Sequence, residues 1–399
     1  MNNKLNPQAL RLVGQPMFRL LEDVKKLEAK GQDIVHFEIG DPDFNTPSAV
    51  VEACIRSLRV GQTHYTSSYG LTELREAIID HTYQELGFKP SLEQVLIAPG
   101  ANPLIYFVIQ CLVKAHEEVI VSDPSFSTFY SVLNFLNIKT VRVPLKEEYG
   151  FRMNPQDLSK RITPQTKMVV LNSPHNPTGA VMTPAEIEAV CLLAKEHNFF
   201  ILSDEVYHLM SYGVKVASPG VHDSCRERTI IINSFSKSFA MTGWRLGYII
   251  GPEFLIERIS LLTQTIISCV PSFIQWAGLG VFDVPDEEIK AMNEELRLRR
   301  DLLVDGLNQL PGVTCLKPQG AFYVFANIQG TGMTGEQFAD LMLQEAGVAL
   351  LPGSNFGQEA NGYVRLCYAV NCDRIKEGLS RMNGVLSKRL LTSPSLKAL

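Results

Sequence analysis

The sequence lacks the excess of positive charge that is typical of proteins that coat a nucleic acid. Its 399 residues include 37 lysines and arginines against 42 aspartates and glutamates, which gives a formal net charge of −5. Because such proteins neutralise phosphates with Lys and Arg, we expect no nucleic-acid partner. The chain also lacks the polar bias of a disordered protein, since 45% of its residues are hydrophobic. A globular protein with a large core is therefore predicted.

Cysteine motifs and long apolar runs are missing as well. The eight cysteines are irregularly spaced and none forms a Cys-x-x-Cys pair, so neither a zinc site nor a disulfide framework is indicated. No apolar run approaches the ~20 residues of a membrane helix. Residues 1–7 contain no apolar region of a secretory signal. We expect a cytoplasmic protein with no metal site and no membrane partner.

Short apolar runs alternate with helical segments over residues 46–285. Several runs are apolar on both faces, as in Met168-Val169-Val170-Leu171, which is typical of strands covered by helices on both sides. Helix starts lie between them, such as Thr183 followed by Pro184. This alternation predicts an α/β domain with a mostly parallel sheet. The predicted strands are 94–98, 118–122, 140–143, 167–172, 199–203, 229–233 and 247–250.

The pattern changes at residue 286. Residues 286–310 form one long charged helical pattern, and its charged residues are expected on solvent-exposed faces. These residues are Arg297, Arg299, Arg300 and Asp301. Short strands are predicted around 321–326 and 363–367, and helices around 334–346 and 373–387. We therefore predict a large domain of residues 46–285 and a smaller α+β domain of residues 1–45 and 286–399.

Polar or glycine residues follow four of the predicted strands, where ligands bind in an open α/β sheet. Residues 99–103 lead into a helix, and the free N–H groups of Gly100, Ala101 and Asn102 suit a phosphate, although a plain turn is the alternative. In the proline-rich loop 172–179, Asn176 could be held as a fixed donor, with a structural turn as the alternative.

The other two strand ends carry an acid and a lysine. Asp204 lies at the tip of a buried strand, where a carboxylate is costly unless it meets a cation or a donor. Lys237 lies in an apolar context that would lower its pKa and leave a free amine able to form a Schiff base. Arg245 lies in a glycine-flanked turn suited to an anion. One ligand, pyridoxal 5′-phosphate (PLP), would account for the residues at all four strand ends. Its aldehyde suits Lys237, its phosphate suits the loop at Gly100 and Arg245, and its ring nitrogen suits Asp204.

With these residues the sequence resembles the class I aminotransferases of PLP fold type I, close to the branch of bacterial and archaeal aspartate and aromatic aminotransferases. The resemblance spans nearly the whole chain as an ordered series of motifs. It implies a large domain with a seven-stranded, mostly parallel sheet, a smaller α+β domain, and a homodimer with shared active sites. The matching segments are 40–47, 65–66, 70–75, 176–179, 204–207, 234–237, 245, 352–354 and 363–366.

The resemblance also implies roles in chemistry. Lys237 resembles the lysine that forms the internal aldimine and then shuttles the proton, and Asp204 would keep the ring nitrogen protonated. Tyr207 and Asn176 would donate to the phenolic oxygen of the cofactor. Arg365 would bind the substrate α-carboxylate bidentately.

Further positions would hold the cofactor and the substrate. Ser234 and Arg245 would bind the phosphate together with the loop at Gly100, Ala101 and Asn102, and Phe126 would stack on the ring. Gly40 would leave room for the substrate carboxylate. Tyr65 resembles a residue that reaches the phosphate of the partner subunit. Pro103 departs from the pattern, because it removes one N–H group from the phosphate loop.

These residues predict an aminotransferase that exchanges an amino group between an L-amino acid and a 2-oxo acid by ping-pong chemistry. Segments 14–18 and 265–271 are apolar where a cation for a second carboxylate could be sought, which favours an aromatic or other apolar substrate. A PLP-dependent C–S lyase or related elimination enzyme is the alternative. A transcription regulator with an aminotransferase-like half is disfavoured, because only about 40 residues precede the Thr46-Pro47 motif. A nicotinamide enzyme is disfavoured because no Gly-x-Gly-x-x-Gly joins an early strand to a helix.

Overall fold

A computed structural model of the chain describes residues 5–392, and residues 1–4 and 393–399 lie outside it. The expectation about a secretory signal therefore falls partly outside the described residues.

The helices are α1 (Pro16–Glu28), α2 (Ser48–Arg59), α3 (Thr72–Leu86), α4 (Asn102–Leu112), α5 (Ser127–Leu136), α6 (Pro155–Ser159), α7 (Pro184–His197), α8 (Phe235–Ser238), α9 (Glu253–Ile266), α10 (Ser272–Leu279), α11 (Asp286–Leu307), α12 (Gly335–Leu341) and α13 (Cys372–Thr392). Between residues 5 and 392, no helix has the length and apolar character needed to cross a membrane.

Seven of the strands form one mixed sheet in the order β2-β8-β7-β6-β5-β3-β4. Strands β7, β6, β5, β3 and β4 are parallel neighbours, whereas β8 is antiparallel to both β2 and β7. The prediction of a seven-stranded, mostly parallel sheet is confirmed. The strands of this sheet are β2 (Val95–Ala98), β3 (Glu118–Asp123), β4 (Lys139–Pro144), β5 (Thr166–Asn172), β6 (Phe200–Asp204), β7 (Thr229–Ser234) and β8 (Gly247–Ile250).

The strands that are apolar on both faces separate two hydrophobic cores. In β5, Met168 and Val170 pack into a core with α4, α5 and α9, whereas Val169 and Leu171 pack into a second core with α7. Because side chains alternate along a strand, a strand between two helical layers must be apolar at every position. The local helix signal also works as predicted: Thr183 Oγ1 accepts the Glu186 N–H group, and Glu186 accepts the Thr183 N–H group.

A second, antiparallel sheet has the order β12-β13-β10-β9. Its strands pack against α11 and α13 in a core that includes Leu303, Val324 and Leu366. The N-terminal β1 pairs in parallel with β11, so the start of the chain joins the C-terminal part. The exact division into residues 46–285 and the remainder stays a prediction. The strands outside the large sheet are β1 (Val35–His36), β9 (Thr314–Cys315), β10 (Tyr323–Asn327), β11 (Val348–Ala349), β12 (Leu351–Pro352) and β13 (Tyr363–Cys367).

The prediction that the charged residues of α11 face solvent is wrong for two arginines. Arg299 and Arg300 are 6% and 7% exposed. Arg299 donates to Asp43 and Glu295, and the guanidinium of Arg300 donates to the Pro318 carbonyl and to Asp301. Neighbouring loops cover this side of the helix, and each buried guanidinium finds an acceptor there, which makes its burial tolerable.

Candidate active site

A cavity of about 420 Å³ opens at the carboxyl ends of β5, β6 and β7. The large parallel sheet thus brings together residues that lie far apart in the sequence, as its topology requires. Most of the predicted site residues line this cavity. They are Gly40, Ala101, Asn102, Phe126, Asn176, Asp204, Tyr207, Ser234, Lys237 and Arg245.

Lys237 lies on the short helix α8, immediately after β7. Its Nζ donates to the backbone carbonyl of Gly40 at 2.7 Å. Desolvation lowers the pKa of Lys237 to about 8, with Asp41 opposing the shift and Arg245 adding to it. A lowered pKa increases the neutral fraction of the amine near neutral pH, and the neutral amine is the form that attacks a carbonyl carbon.

Asp204 is the last residue of β6 rather than the first residue after it. It is 4% exposed, and its Oδ1 accepts the Val206 N–H group at 3.3 Å. Burial raises the pKa of Asp204 to about 7. Among residues 5–392, no lysine, arginine or histidine forms an ion pair with this carboxylate. Lys237 is near enough to oppose this shift but makes no ion pair with Asp204, so the carboxylate is a buried acid without a cation in contact, which is costly unless a ligand supplies one.

Arg365 lies on β13, is 1% exposed and reaches from the small sheet toward the cavity. Its Nη1 donates to Asn176 Oδ1 at 3.2 Å, its Nη2 donates to the backbone carbonyl of Glu38, and its Nε has no partner. The guanidinium carbon lies 4.4 Å from the centroid of the Tyr323 ring. A buried guanidinium bound only to neutral acceptors is suited to receive a carboxylate.

The loop between β2 and α4 forms a cradle at a helix N-terminus. Gly100 has φ +86°, and a Cβ at this position would lie 2.6 Å from Arg245 Nη2. A Cβ on Gly247 would lie 3.1 Å from the Ala101 nitrogen, so both glycines allow backbone and guanidinium to approach closely. The Ser234 hydroxyl lies nearby and donates to the Leu246 carbonyl. These N–H groups, the hydroxyl and the guanidinium together suit a phosphate.

The remaining predicted residues have distinct positions. Phe126 precedes α5 and packs edge-on against Phe129, with ring centroids 5.9 Å apart. Tyr65 is 88% exposed and does not line the described cavity. His175, in the same loop as Asn176, is buried, and its ring nitrogens face Thr178 and Ser122. Burial lowers the pKa of His175 to about 3, so the ring stays neutral.

Tyr323 is a site residue that the sequence analysis missed. It begins β10 and lines the cavity, and its hydroxyl lies 2.9 Å from the Tyr207 hydroxyl. A Cβ on Gly40 would lie 1.9 Å from the Tyr323 hydroxyl oxygen, so Gly40 makes room for this side chain. The available signal in the sequence was a tyrosine within the short strand predicted around 321–326.

The model of the family "Aminotransferase class I and II" matches residues 32–382. The chain belongs to this family. It is 38% identical to an aspartate aminotransferase of Pyrococcus horikoshii, over 90% of this chain and 92% of that one. It is also 38% identical to aromatic-amino-acid aminotransferase 2 of Thermococcus litoralis, over 96% and 98% of the two chains. The solved aspartate aminotransferase of Thermus thermophilus with maleate has a TM-score of 0.91 at 33% identity, covering 96% of this chain and 99% of that one.

The protein is thus a PLP-dependent aminotransferase, as predicted, with the fold of its relatives. Its cavity fits the cofactor on structural grounds. The unpaired Asp204 suits a protonated ring nitrogen, Lys237 offers an amine of lowered pKa, and the loop at Gly100 offers an anion site beside Arg245. The three groups line one cavity or contact its lining residues, as a single ligand requires.

Proposed function

We propose that this aminotransferase takes the amino group of an aromatic or other apolar L-amino acid and transfers it to a 2-oxo acid. The observation that carries the substrate class is an apolar wall of the cavity formed by Met17, Phe18 and Ile39. Within the described part of the chain, Lys237 and Arg245 are the cations that line the cavity. Both are assigned to the cofactor, so a second substrate carboxylate finds no cation of its own here.

The proposed roles follow from position and charge. When bound, PLP supplies an aldehyde for amine exchange and a ring that takes up electrons. Lys237 Nζ removes and returns the proton of the substrate α-carbon, and its lowered pKa suits a general base. Asp204 holds a proton on the ring nitrogen, and Arg365 orients the substrate by binding its α-carboxylate.

Other side chains hold the cofactor in place in this proposal. Ser234, Arg245 and the N–H groups of the loop containing Gly100, Ala101 and Asn102 bind the phosphate. Asn176 and Tyr207 donate to the ring hydroxyl group, and Phe126 packs against the ring. Gly40 leaves space beside the substrate carboxylate.

The test is the absorption spectrum of the purified enzyme with PLP, recorded as single amino acids are added without any 2-oxo acid. We expect phenylalanine, tyrosine or leucine to bleach the visible cofactor band at concentrations at least about tenfold lower than aspartate or arginine, because apolar contacts contribute ~1–3 kcal/mol. Lys237→Ala is the matched control, and amino acids should not bleach its visible cofactor band. Preference for aspartate would refute the substrate class, and release of ammonia without a 2-oxo acid would identify the elimination enzyme.

We propose further that the enzyme is a homodimer with shared active sites. Tyr65 is 88% exposed in a single chain, and the apolar side chains of Val60 and Ile266 are 73% and 55% exposed. A second copy would cover such side chains and bring Tyr65 to its phosphate site. We also propose a cytoplasmic location, because all eight cysteines are free, as in a reducing compartment.

A further inference from the structure

A second cavity, of about 630 Å³, adjoins the active site across the end of β6. Asp204 lines the first cavity, and the next residue, Glu205, lines the second. Helix α3, helix α8 and the beginning of α11 surround this space. Ser234 lines both cavities, and no role is proposed above for the other residues that line the second one. Its size is in the range of small-molecule sites.

The walls of this second cavity carry more negative than positive charge. The acids that line it are Asp80, Glu85, Glu205 and Asp286, against Lys290 and the histidines His81 and His208. Asp80 is paired with Lys89 at 2.9 Å, so Glu85, Glu205 and Asp286 provide the negative excess. Burial lowers the pKa of His81, which keeps its ring neutral near pH 7. The cavity therefore favours a cation over an anion.

Glu205 is the buried member of this group, being 2% exposed. The hydroxyl groups of Ser203 and Ser218 both donate to its Oε1, at 2.8 and 2.7 Å. Its Oε2 lies 3.6 Å from His208 Nδ1, beyond hydrogen-bond distance. Two buried atoms at the cavity, His208 Nδ1 and Asn293 Oδ1, have no hydrogen-bond partner in the described structure. Asn293 Oδ1 is an unsatisfied acceptor, which favours a ligand that carries an N–H donor.

Aromatic rings form the apolar side of the cavity. Phe235 lies at their centre, with ring centroids 5.6 Å from Tyr248, 6.1 Å from Phe239 and 6.3 Å from Phe282. Such rings pack against an alkyl chain and attract a cation through their faces. Carboxylates on one side and rings on the other match a cation that carries an apolar chain.

We propose that this cavity binds a guanidinium group carrying an alkyl chain, with Glu205 as the principal acceptor. A guanidinium presents several N–H donors in one plane, so it can donate to Glu205 and to a second acceptor on the cavity wall, whereas an ammonium acts as a point charge. Burial raises the pKa of Glu205, and a bound cation would offset the cost of its charge.

The experiment is isothermal titration of the PLP-loaded enzyme with n-butylguanidinium, which is not nucleophilic, and with its neutral isostere n-butylurea. We expect binding of the guanidinium and at least about tenfold weaker binding of the urea, as for loss of a charge-assisted hydrogen bond. Glu205→Gln keeps the acceptor for Ser203 and Ser218 but removes the charge, and should weaken guanidinium binding to a similar extent.

Equal binding of the two probes, equal binding by the Glu205→Gln variant, or no binding of n-butylguanidinium would each overturn the proposal. If Glu205→Gln does not fold, Asp286→Asn replaces it. Asp286 and Glu288 are both exposed acids in the first turn of α11, but only Asp286 lines the cavity. Asp286→Asn should therefore weaken binding by about two- to fivefold, and the control Glu288→Gln should leave it unchanged.

Discussion

At the residue scale, the buried carboxylate of Asp204 lowers the stability of the cofactor-free protein near neutral pH, although the proposed complex with PLP uses the same carboxylate to bind the ring nitrogen. Its folded-state pKa of about 7 lies above the ordinary value of 3.8 because of burial. The folded protein without PLP then binds a proton more tightly than the unfolded chain does. Its stability must fall as the pH rises from about 4 to about 7, where both states become ionised.

The Asp204→Asn variant distinguishes the effect of this carboxylate on folding stability from its effect on catalysis. We expect the cofactor-free variant to be at least as stable as the wild type at pH 8 and to lose the pH dependence between 4 and 7 that Asp204 causes. In the PLP-loaded enzyme, kcat/KM should fall about 10–100-fold, as for loss of a charge-assisted hydrogen bond. Chemical unfolding at several pH values checks the expected stability, and steady-state kinetics checks the expected fall in kcat/KM. A variant that is both less stable and fully active would contradict this account.

Gly100 offers a second test at the residue scale, because two effects of an added Cβ can be told apart. Gly100→Ala strains a residue with φ +86° and places Cβ 2.6 Å from Arg245 Nη2, whereas Gly87→Ala strains a residue with φ +79° that has nothing within 4 Å. Both variants should lose about 1 kcal/mol of stability. Only Gly100→Ala should also weaken PLP binding, by about tenfold, since its guanidinium neighbour must move. Equal PLP affinities of the two variants, measured by fluorescence titration, would refute the phosphate role.

The sequence could predict Asp204 and Lys237 because Asp204 ends a buried strand and Lys237 lies three residues after another, and position along a strand is a local property. It could not predict the role of Tyr323. The hydroxyl pair of Tyr323 and Tyr207 depends on where the small antiparallel sheet meets the large one. Arg365 was found only by resemblance, since nothing in its neighbourhood along the chain indicates that its guanidinium is buried.

At the element scale, His36 of β1 contacts Glu28 at the end of α1 and Glu38, which is a backbone partner of Arg365. Its Nδ1 lies 2.7 Å from Glu38 Oε1, and its Nε2 lies 2.9 Å from Glu28 Oε1 at the end of α1. The hydrogen bond to Glu38, opposed by desolvation and supported by Glu28, raises the pKa of His36 to about 9. The backbone carbonyl of Glu38 also accepts from Arg365.

A raised pKa means that His36 stabilises the fold below pH 6.5, its ordinary pKa, and that this contribution disappears as the pH rises to about 9. His36→Gln should therefore be less stable than the wild type at pH 6 and should approach it at pH 9. The effect is moderate because the ring is 29% exposed. His116→Gln, at an exposed histidine after α4, is the control and should show no such convergence. A constant difference for His36→Gln across this range would exclude the ion pair.

The secondary-structure elements could be predicted from the sequence where both of their faces are buried. From Met168 to Leu171, strand β5 is apolar and buried at every position, so its pattern alone indicates two helical layers. Helix α11 was harder, because Arg299 and Arg300 look like surface residues in the sequence. Their burial depends on Asp43 and on the Pro318 carbonyl, which other parts of the chain supply.

At the scale of the whole molecule, the proposed homodimer determines whether one chain holds a complete site. The phosphate cradle is built from the described chain, but Tyr65 is exposed and does not line this cavity. If Tyr65 acts on the partner, a substitution at Tyr65 in one protomer and one at Lys237 in the other affect the same site of a mixed dimer. The two substitutions then meet in one site and leave the other site unchanged.

Mixing Tyr65→Ala and Lys237→Ala protomers tests this directly. The Lys237→Ala dimer should be inactive, and the Tyr65→Ala dimer should bind PLP about tenfold more weakly, as for a lost phosphate contact. After refolding together, each mixed dimer should contain one wild-type site, so activity at low PLP concentration should rise above that of either parent. Lys237→Ala mixed with a Lys237→Ala, Tyr65→Ala double variant is the control and should stay inactive. Activity that is merely the average of the parents would place Tyr65 in its own subunit's site, or in none, because complementation requires the residue to cross the interface.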